Sequence, residues 1–226
     1  ALQIRQGELQ IGLVLDYVNR YAEDLAVDAQ LLVSANPVGI GGNQGQAGRA
    51  GDLADAGFAV TVYEALDAAG GMLRWGIPAY RLPKQVLDHE IELIRRKGVT
   101  FVYNCRIGQD VTVQKLRQDN AALFLAAGAQ KSRTLGIEGE QIPGVLHGVE
   151  FLRSAGSSSK PVVKASVMVI GGGNVAIDVA RTARRLGARS VEMVCLEQRN
   201  EMPAYKEEVE ATLAENITIR NGWGPK

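Results

Sequence analysis

The sequence predicts an α/β protein made of doubly wound, Rossmann-like units with parallel sheets. Apolar runs of strand length alternate along the chain with segments of helical periodicity, which is typical of parallel sheets covered by helices. One apolar run, Val167–Ile170, leads into three consecutive glycines and then into a helix-forming segment. A second glycine-rich stretch near the start of the chain also precedes a helix and a strand. These observations indicate two nucleotide-binding units in series.

The clearest motif is the predicted strand, turn and helix between Val167 and Asp178. It contains the pattern Gly171-x-Gly173-x-x-Ala176, in which the first glycine permits a tight turn and the second lets a pyrophosphate approach the backbone. Ala176 lets the helix pack closely on the strand, and the helix start offers unpaired amides to phosphates. Since glycine-rich turns also close ordinary strand–helix units, a purely structural turn stays open as an alternative.

The earlier glycine-rich stretch, Val38–Gln46, is expected to be a first dinucleotide turn. By its spacing from the following helix, Gly41 takes the first glycine position. Asn43 and Gln46 occupy the places where the second and third glycines belong. An asparagine tolerates a left-handed backbone, but its side chain would crowd a pyrophosphate. We therefore expect this first turn to be irregular.

An acidic residue supports a ligand role for the first unit. The alternating strand Ala59–Glu64 follows the predicted helix Ala50–Ala56. Glu64 therefore lies at the end of a strand about 20 residues beyond the glycines, where an acidic side chain usually accepts hydrogen bonds from ribose hydroxyls.

Periodicity and turn residues predict the remaining elements. In the helix that Pro83 opens, Val86, Leu87, Ile91 and Ile94 are expected to face inward. The other predicted elements are an amphipathic helix in Gly12–Asp24, an ordered loop over Ala65–Lys84, strands Val99–Tyr103 and Ala121–Ala127, a helix Thr112–Arg117, a helical piece Val149–Leu152, a linker Ser154–Pro161, a strand Val191–Leu196, a helix Lys206–Ala214 and a last strand Ile217–Ile219.

Composition places the chain in the ordinary globular class. It has 226 residues, 46% of them hydrophobic and 22% charged, with a formal net charge of zero. Bulk charge therefore favours neither a nucleic acid nor an anionic membrane as partner. The longest apolar run, Ala121–Ala129, is about half of what a membrane crossing needs, and the first residues lack a signal-peptide pattern. We expect a cytoplasmic protein with no membrane insertion.

The two cysteines, Cys105 and Cys195, lie far apart and form no CxxC pair. Without that pair or a partnering histidine spacing, the sequence predicts neither a redox-active dithiol nor a metal site in this chain. We interpret both thiols as small packing residues. The two histidines, His89 and His147, are interpreted as a helix-surface residue and a loop residue.

Several segments together resemble the small subunit of glutamate synthase and its relatives. Those relatives include the flavoprotein parts of dihydropyrimidine dehydrogenase and of complexes that exchange electrons between NAD(P)H and iron–sulfur partners. The resemblance covers nearly the whole chain from about Gly12 onward. It is carried by Tyr63–Ala65, Gly70–Arg74, Gly76–Pro78, Tyr80–Lys84, Phe124–Ala129, Gly171–Asp178 and Glu201–Ala204.

The resemblance implies an FAD-binding domain interrupted by an inserted NAD(P)H-binding domain, behind a helical iron–sulfur domain. On this basis residues 1–35 would be a helical segment from the end of that iron–sulfur domain, 36–150 the first part of the FAD-binding domain, and 151–226 an incomplete NAD(P)H-binding domain. The cysteines of the iron–sulfur domain are absent from this chain. An iron–sulfur cluster is therefore expected only in a missing domain or a partner.

The resemblance also implies site residues. Glu64 would hold the FAD ribose, Gly71–Leu73 would line the flavin, Arg81 would contact it, and Ile107 would touch the far end of FAD. The turn at Gly172 would hold the nicotinamide dinucleotide. The complete set of expected cofactor-binding residues is Gly41, Gly42, Asn43, Gln46, Glu64, Gly71, Met72, Leu73, Arg81, Ile107, Gly128, Gly171, Gly172, Gly173, Asn174, Val175, Glu197 and Arg199.

The function implied is an FAD-dependent NAD(P)H oxidoreductase that passes electrons to an iron–sulfur or catalytic partner. Because the cofactors supply the chemistry, no catalytic acid or base is expected. A free-standing disulfide reductase is disfavoured by the missing CxxC. A structural or electron-relay subunit with a degenerate flavin site remains an alternative from another class.

The choice between NADH and NADPH depends on the end of the predicted strand Val191–Leu196. In the resembled family a pair of arginines commonly stands there and can grip the 2′-phosphate of NADPH. Leu196 and Glu197 occupy those positions here. A carboxylate repels that phosphate and accepts hydrogen bonds from ribose hydroxyls, so we expect NADH. Arg199 could still reach a phosphate, and Glu197 could be a solvated loop residue.

Overall fold

The computed structural model of the chain describes residues 31–35, 46–126, 132, 134–157 and 160–224. The predicted helix within Gly12–Asp24 lies outside these residues. The strands are β1 Leu31–Ala35, β2 Ala59–Tyr63, β3 Thr100–Val102, β4 Ala122–Leu125, β5 Ser166–Ile170, β6 Ser190–Cys195 and β7 Thr218–Asn221. The helices are α1 Gln46–Asp55, α2 Gly71–Trp75, α3 Lys84–Arg96, α4 Val113–Asp119, α5 Gly148–Gly156, α6 Asn174–Arg185 and α7 Lys206–Ala214.

The chain forms two compact units. The first contains the described residues among Ala1–Gly71 and Lys84–Gln130. The second contains those among Met72–Pro83 and Lys131–Lys226. The segment Met72–Pro83 is therefore taken out of the first unit and belongs to the second.

The first unit contains a four-stranded sheet in the order β3-β2-β1-β4. β2 and β3 are parallel, with Val62 opposite Phe101. β1 runs antiparallel to β2 and to β4, with Leu31 opposite both Tyr63 and Leu125. The expectation of a parallel sheet therefore does not hold for β1. The alternation of side chains along a strand is the same in both directions, so it carries no information about strand direction.

Apolar clusters hold helices against the first sheet. Ala50 on α1 is buried with Val60 and Val62 on β2. On α3 the buried residues are Leu87 and Ile91, four positions apart on one helical face. The expectation that Val86 faces inward is wrong: it is 52% exposed, because one residue along a helix turns the side chain by about 100° away from that face.

The second unit contains a sheet in which β5, β6 and β7 are parallel and adjacent in chain order. Helix α6 packs on β5 and β6, and its strongly amphipathic face places Ile177 in the core with Met193 and Ile217. All three side chains are almost fully buried. Each contributes about 1.5–3 kcal/mol relative to an exposed side chain. This core fixes the carboxyl ends of the strands that form the site described below.

Two connections contain more helix than the sequence predicted. The predicted loop after β2 includes the one-turn helix α2, where the amides of Gly76 and Ile77 both donate to the carbonyl of Met72. A single turn is too short to produce a detectable periodicity. Helix α5 continues through the start of the predicted linker, and the Ser154 hydroxyl donates to the Glu150 carbonyl within it.

Among the helices of the described ranges, none combines the length and the apolar character needed to cross a membrane.

Candidate dinucleotide-binding site

The carboxyl ends of β5, β6 and β7 form one edge of the parallel sheet. The turn Gly171–Gly173 follows β5, residues 196–199 follow β6, and residues 222–224 follow β7. In open parallel sheets, ligands bind outside the carboxyl ends of the strands. The sequence-predicted turn therefore lies where the fold itself favours a ligand.

Gly171 makes the sharp turn between β5 and α6. Its φ of 134° lies in the region that side chains rarely adopt, and its amide donates to the Val194 carbonyl at 2.8 Å. A Cβ on Gly171 would lie 3.3 Å from the Cβ of Ala176. The first glycine and the alanine of the motif are thus close-packed, as expected for a helix held tightly against its strand.

The packing around Gly172 leaves little room for a side chain. A Cβ there would lie 2.8 Å from the carboxylate Oε2 of Glu197 and 3.0 Å from the Cβ of Cys195. Both distances are shorter than van der Waals contact, so the Glu197 side chain would have to rotate and Cys195 would have to shift slightly. The Glu197 carboxylate therefore lies close to the turn in the space that a side chain at Gly172 would take.

Gly173 is surrounded by open space. Its φ is −92°, which any residue can adopt, and a Cβ on Gly173 would lie 3.9 Å from its nearest heavy atom, Pro203 Cγ. Nothing in the protein around Gly173 therefore demands a glycine. The residue stands at the N-cap of α6, where the first amides have no partner within the helix. A backbone without a side chain, next to helix amides that have no partner within the helix, offers both space and hydrogen-bond donors to the pyrophosphate of a dinucleotide.

The loop before α7 is fastened onto the same turn. The amide of Tyr205 donates to Asn174 Oδ1 at 3.0 Å, and the amide of Ala204 donates to the carbonyl of Gly172 at 3.2 Å. Val175, beside Asn174 in the first turn of α6, is half exposed. The predicted Asn174 thus has a structural role in addition to its expected contact with the dinucleotide.

Residues 197–199 are held by β7. Asn221 Nδ2 donates to the carbonyl of Glu197 at 3.0 Å and lies 3.3 Å from Cys195 Sγ. Arg199 donates from Nε to Asn221 Oδ1 at 2.9 Å and from Nη2 to the Ile219 carbonyl at 3.2 Å. The guanidinium considered as an alternative phosphate ligand is therefore engaged with the end of β7, while the Glu197 carboxylate lies beside Gly172.

The two thiols have no feature of a reactive cysteine. Burial, and next the neighbouring carboxylate of Glu197, raise the pKa of Cys195 above its ordinary value. Burial raises the pKa of Cys105 as well, and Asp110 adds to the increase. Within the described ranges the two thiols are free, and no three His, Cys, Asp or Glu side chains are grouped as a metal site would require.

In the first unit, Glu64 is 2% exposed at the carboxyl end of β2. Its Oε1 accepts a hydrogen bond from the amide of Leu66 at 3.0 Å. Ile107, expected at the far end of FAD, is buried against Leu116. Gln46 begins α1. The predicted residues Gly41, Gly42, Asn43 and Gly128 lie outside the described part of the chain.

The residues expected to line the flavin are divided between the two units. Gly71 belongs to the first unit, whereas Met72, Leu73 and Arg81 belong to the second. Leu73 is half exposed. Arg81 is engaged by two carboxylates of the second unit, Asp178 and Glu208, the first at 2.8 Å.

Sequence analysis overlooked Asp178 and Glu208. One signal was available for Asp178, because it interrupts the inward-facing side of a strongly amphipathic helix beside Ile177. An acidic residue at such a position needs a cationic partner to remain charged. The identity of that partner, 97 residues away, had no signal in the sequence.

The fold of the second unit and its glycine turn are those of a known structural class. Parallel strands, a glycine turn and a helix N-terminus give the second unit a Rossmann-like fold, the architecture in which dinucleotides are commonly bound. The same fold is seen in the oxidoreductase FprA of Mycobacterium tuberculosis, solved in complex with NADPH. That match has a TM-score of 0.58 and 23% identity, and covers 68% of this chain and 40% of FprA.

A family model for pyridine nucleotide-disulphide oxidoreductases matches residues 38–222. The chain belongs to this family, whose members use FAD and NAD(P)H.

Curated relatives agree with this assignment. The chain is 43% identical over 189 residues to the NADP(+)-dependent formate dehydrogenase subunit beta of Moorella thermoacetica, covering 82% of this chain and 26% of the relative. It is 35% identical over 224 residues to a putative glutamate synthase [NADPH] small chain of Cereibacter sphaeroides, covering 92% of this chain and 53% of the relative. It is 38% identical over 174 residues to the NAD-dependent dihydropyrimidine dehydrogenase subunit PreT of Salmonella typhimurium, covering 76% and 42%.

The chain thus spans between about a quarter and about half of the length of these relatives. The resemblance to the glutamate synthase small-subunit group is confirmed by these relatives, and the Rossmann-like fold class is confirmed by the family and by the structural match.

Proposed function

We propose that this chain is the core of an FAD-dependent NAD(P)H oxidoreductase that passes electrons to a partner subunit. The observation that carries the proposal is the turn Gly171–Gly173, in which Gly173 leaves room that the protein itself does not use. Family membership supports the cofactor pair. When both cofactors are bound, a hydride from NAD(P)H reduces FAD by two electrons and leaves NAD(P)+.

In this proposal the residues of the chain bind and orient the two cofactors and carry out no acid–base chemistry. The turn and the first amides of α6 hold the pyrophosphate of the nicotinamide dinucleotide, with Gly172, Gly173, Asn174 and Val175 around it. Glu64 accepts hydrogen bonds from the FAD ribose hydroxyls through its carboxylate. We keep Gly41, Gly42, Asn43, Gln46, Gly71, Met72, Leu73, Arg81, Ile107 and Gly128 as expected cofactor contacts.

We further propose that NADH is the preferred donor. The Glu197 carboxylate lies beside the glycine turn, where it suits free ribose hydroxyls and repels a 2′-phosphate. Arg199 donates to Asn221 and Ile219 at the end of β7, so two of its donor nitrogens are already engaged within the protein. The names of the relatives differ on this point, since the formate dehydrogenase subunit is NADP(+)-dependent and the PreT subunit is NAD-dependent.

We propose that the electron acceptor is an iron–sulfur or catalytic partner subunit. The relatives are themselves named as subunits or small chains, which supports assembly with a partner. A cytoplasmic location goes with this proposal, because the two described thiols are free rather than paired.

An anaerobic titration of the intact protein tests the function. We expect the purified protein to show flavin absorbance that bleaches on addition of NADH, and bleaches more slowly with NADPH. Electrons should then pass to an iron–sulfur acceptor such as ferredoxin. A folded, intact protein that stays colourless after incubation with FAD would contradict the proposal and support the alternative, a structural or relay subunit without a working flavin site.

A further inference from the structure

A compact charged cluster in the second unit lies outside the glycine turn. It joins Arg81, from the segment Met72–Pro83, to acidic residues on α6 and α7. Arg81 Nη1 lies 2.8 Å from Asp178 Oδ2, and Arg81 Nε lies 3.3 Å from Glu208 Oε1. The Asp178 side chain is only 8% exposed. Ion pairs at such burial resist screening by salt and hold a defined geometry.

The neighbouring residue Tyr80 strengthens the same attachment. Its hydroxyl donates to Asp178 Oδ1 at 3.3 Å. Its ring lies under two guanidinium groups of α6, with Arg185 at 4.0 Å and Arg181 at 4.8 Å from the ring centroid. Burial, followed by the charge of Asp178, raises the pKa of Tyr80, so the phenol stays protonated and remains a donor.

The cluster is balanced in charge. Arg181 pairs with Glu208 at 2.6 Å and with Glu215 at 2.9 Å, and Arg185 also pairs with Glu215. Together with Arg81, these two arginines match the three carboxylates of Asp178, Glu208 and Glu215. Removing one carboxylate leaves a partly buried guanidinium without one of its negatively charged partners. This costs more free energy than the loss of an exposed ion pair.

The two carboxylates that pair with Arg81, those of Asp178 and Glu208, lie on helices that begin beside the glycine turn. Asp178 lies one helical turn after Asn174 on α6. Asn174 also accepts from the amide of Tyr205, the N-cap of α7, and Glu208 lies in the first turn of that helix. The position of Arg81 is therefore set by the same two helix starts that frame the candidate pyrophosphate site.

We propose that Asp178 and Glu208 are positioning residues for hydride transfer. Through Arg81 they hold the segment Met72–Pro83 on the helix that binds the nicotinamide dinucleotide, so that the flavin-lining residues Met72 and Leu73 take a fixed place. This inference rests on the proposed function. The segment Met72–Pro83 and both carboxylates belong to the same compact unit.

The test compares Asp178→Asn with Glu215→Gln in the intact protein. Each variant removes one negative charge from the cluster, but Glu215 pairs with Arg181 and Arg185 and not with Arg81. Flavin reduction by NADH is followed by stopped flow, per bound FAD. We expect Asp178→Asn to lower the rate at saturating NADH about tenfold with less than a twofold change in KM, and Glu215→Gln to change the rate less than twofold.

Two further variants sharpen the result. Glu208→Gln should lower the saturating rate in the same direction as Asp178→Asn, and Asp178→Glu should recover part of the rate because the charge returns. An equal rate in wild type and Asp178→Asn, with only a lower Tm, would overturn the proposal and leave a structural ion pair. Loss of FAD from both Asp178→Asn and Glu208→Gln would overturn it too, because the segment would then retain FAD rather than align it.

The outcomes also separate this inference from the proposed function. A wild-type protein that binds no FAD, or whose FAD is not reduced by either nicotinamide cofactor, contradicts the proposed function. If the flavin of the wild-type protein is reduced normally and that of Asp178→Asn is reduced at the same rate, the proposed function stands. Only the positioning role of Asp178 is then contradicted.

Discussion

Glu64 and Glu197 occupy corresponding places in the two units, yet their surroundings differ. Each follows a strand that comes after a glycine-rich stretch of the sequence, β2 for Glu64 and β6 for Glu197. Glu64 is 2% exposed and accepts from the amide of Leu66. Glu197 is partly exposed, and its carboxylate lies 2.8 Å from where Gly172 would carry a Cβ. A buried carboxylate suits a cofactor that stays bound, whereas an accessible one suits a cofactor that exchanges in every turnover.

The substitution with the largest expected effect is Gly173→Val in the second unit. A β-branched side chain should occupy the space for the pyrophosphate, while the open surroundings of Gly173 let the protein fold normally. We expect kcat/KM for NADH to fall about 100-fold, equivalent to about 3 kcal/mol of lost binding, with FAD retained. Steady-state kinetics and the flavin spectrum measure the two quantities.

Gly156→Val is the matched control for Gly173→Val. The nearest atom to a Cβ at Gly156 is also 3.9 Å away, but Gly156 lies at the end of α5. It should leave kcat/KM for NADH within about twofold, because Gly156 lies outside the glycine turn. Release of FAD from Gly173→Val with normal NADH binding would show that the two dinucleotide sites have been assigned in reverse.

Glu64→Gln tests the first unit with an intermediate effect. The amide oxygen of glutamine can still accept from Leu66, so the fold is preserved while a charged acceptor for the ribose hydroxyls is lost. We expect FAD affinity to fall about tenfold, in line with about 1.5 kcal/mol for a hydrogen bond to a charged group. Fluorescence of released flavin on dilution reports the affinity. The control is Glu92→Gln on α3, because the partner of Glu92 is the exposed Arg96. Equal FAD affinity in Glu64→Gln and Glu92→Gln would show that Glu64 does not belong to the FAD site.

Glu197→Arg should have the smallest effect, a change of preference rather than of activity. Placing a guanidinium beside the turn should raise the ratio of kcat/KM for NADPH over NADH about fivefold, since the charge of one residue is reversed near the ribose. Glu201→Arg introduces the same charge change at an exposed position and should leave the ratio unchanged. A wild-type kcat/KM for NADPH equal to or above that for NADH would refute the NADH preference itself.

The two units also differ in how closely their helices and strands match those predicted from the sequence. The second unit was anticipated closely: helix Lys206–Ala214 has the predicted bounds, and β5, the turn and α6 lie where the motif placed them. Here local signals agree, because glycines, apolar periodicity and the buried core all specify the same elements. The reversed direction of β1 had no such signal, since pairing between distant strands is not encoded in alternation.

The site shows the same limit. Residues at the turn follow from a contiguous pattern, so spacing alone predicts the turn glycines Gly171 and Gly173, while Gly172 is added by the family resemblance. The attachment of Arg81 to Asp178 joins residues 97 positions apart, and no periodicity connects them. The engagement of Arg199 with Asn221 is likewise a tertiary contact. Sequence analysis therefore predicts the position of the glycine turn and misses the side-chain contacts around it.

The amide side chain of Asn221 has a consequence for the order in which this unit forms. It contacts Cys195 Sγ, the carbonyl of Glu197 and the guanidinium of Arg199, all of which precede it in the chain. During synthesis β5, the turn and β6 emerge first, and the loop after β6 obtains these three contacts only when β7 has joined the sheet. The loop that carries Glu197 and Arg199 therefore reaches its final contacts only after β7 has joined the sheet.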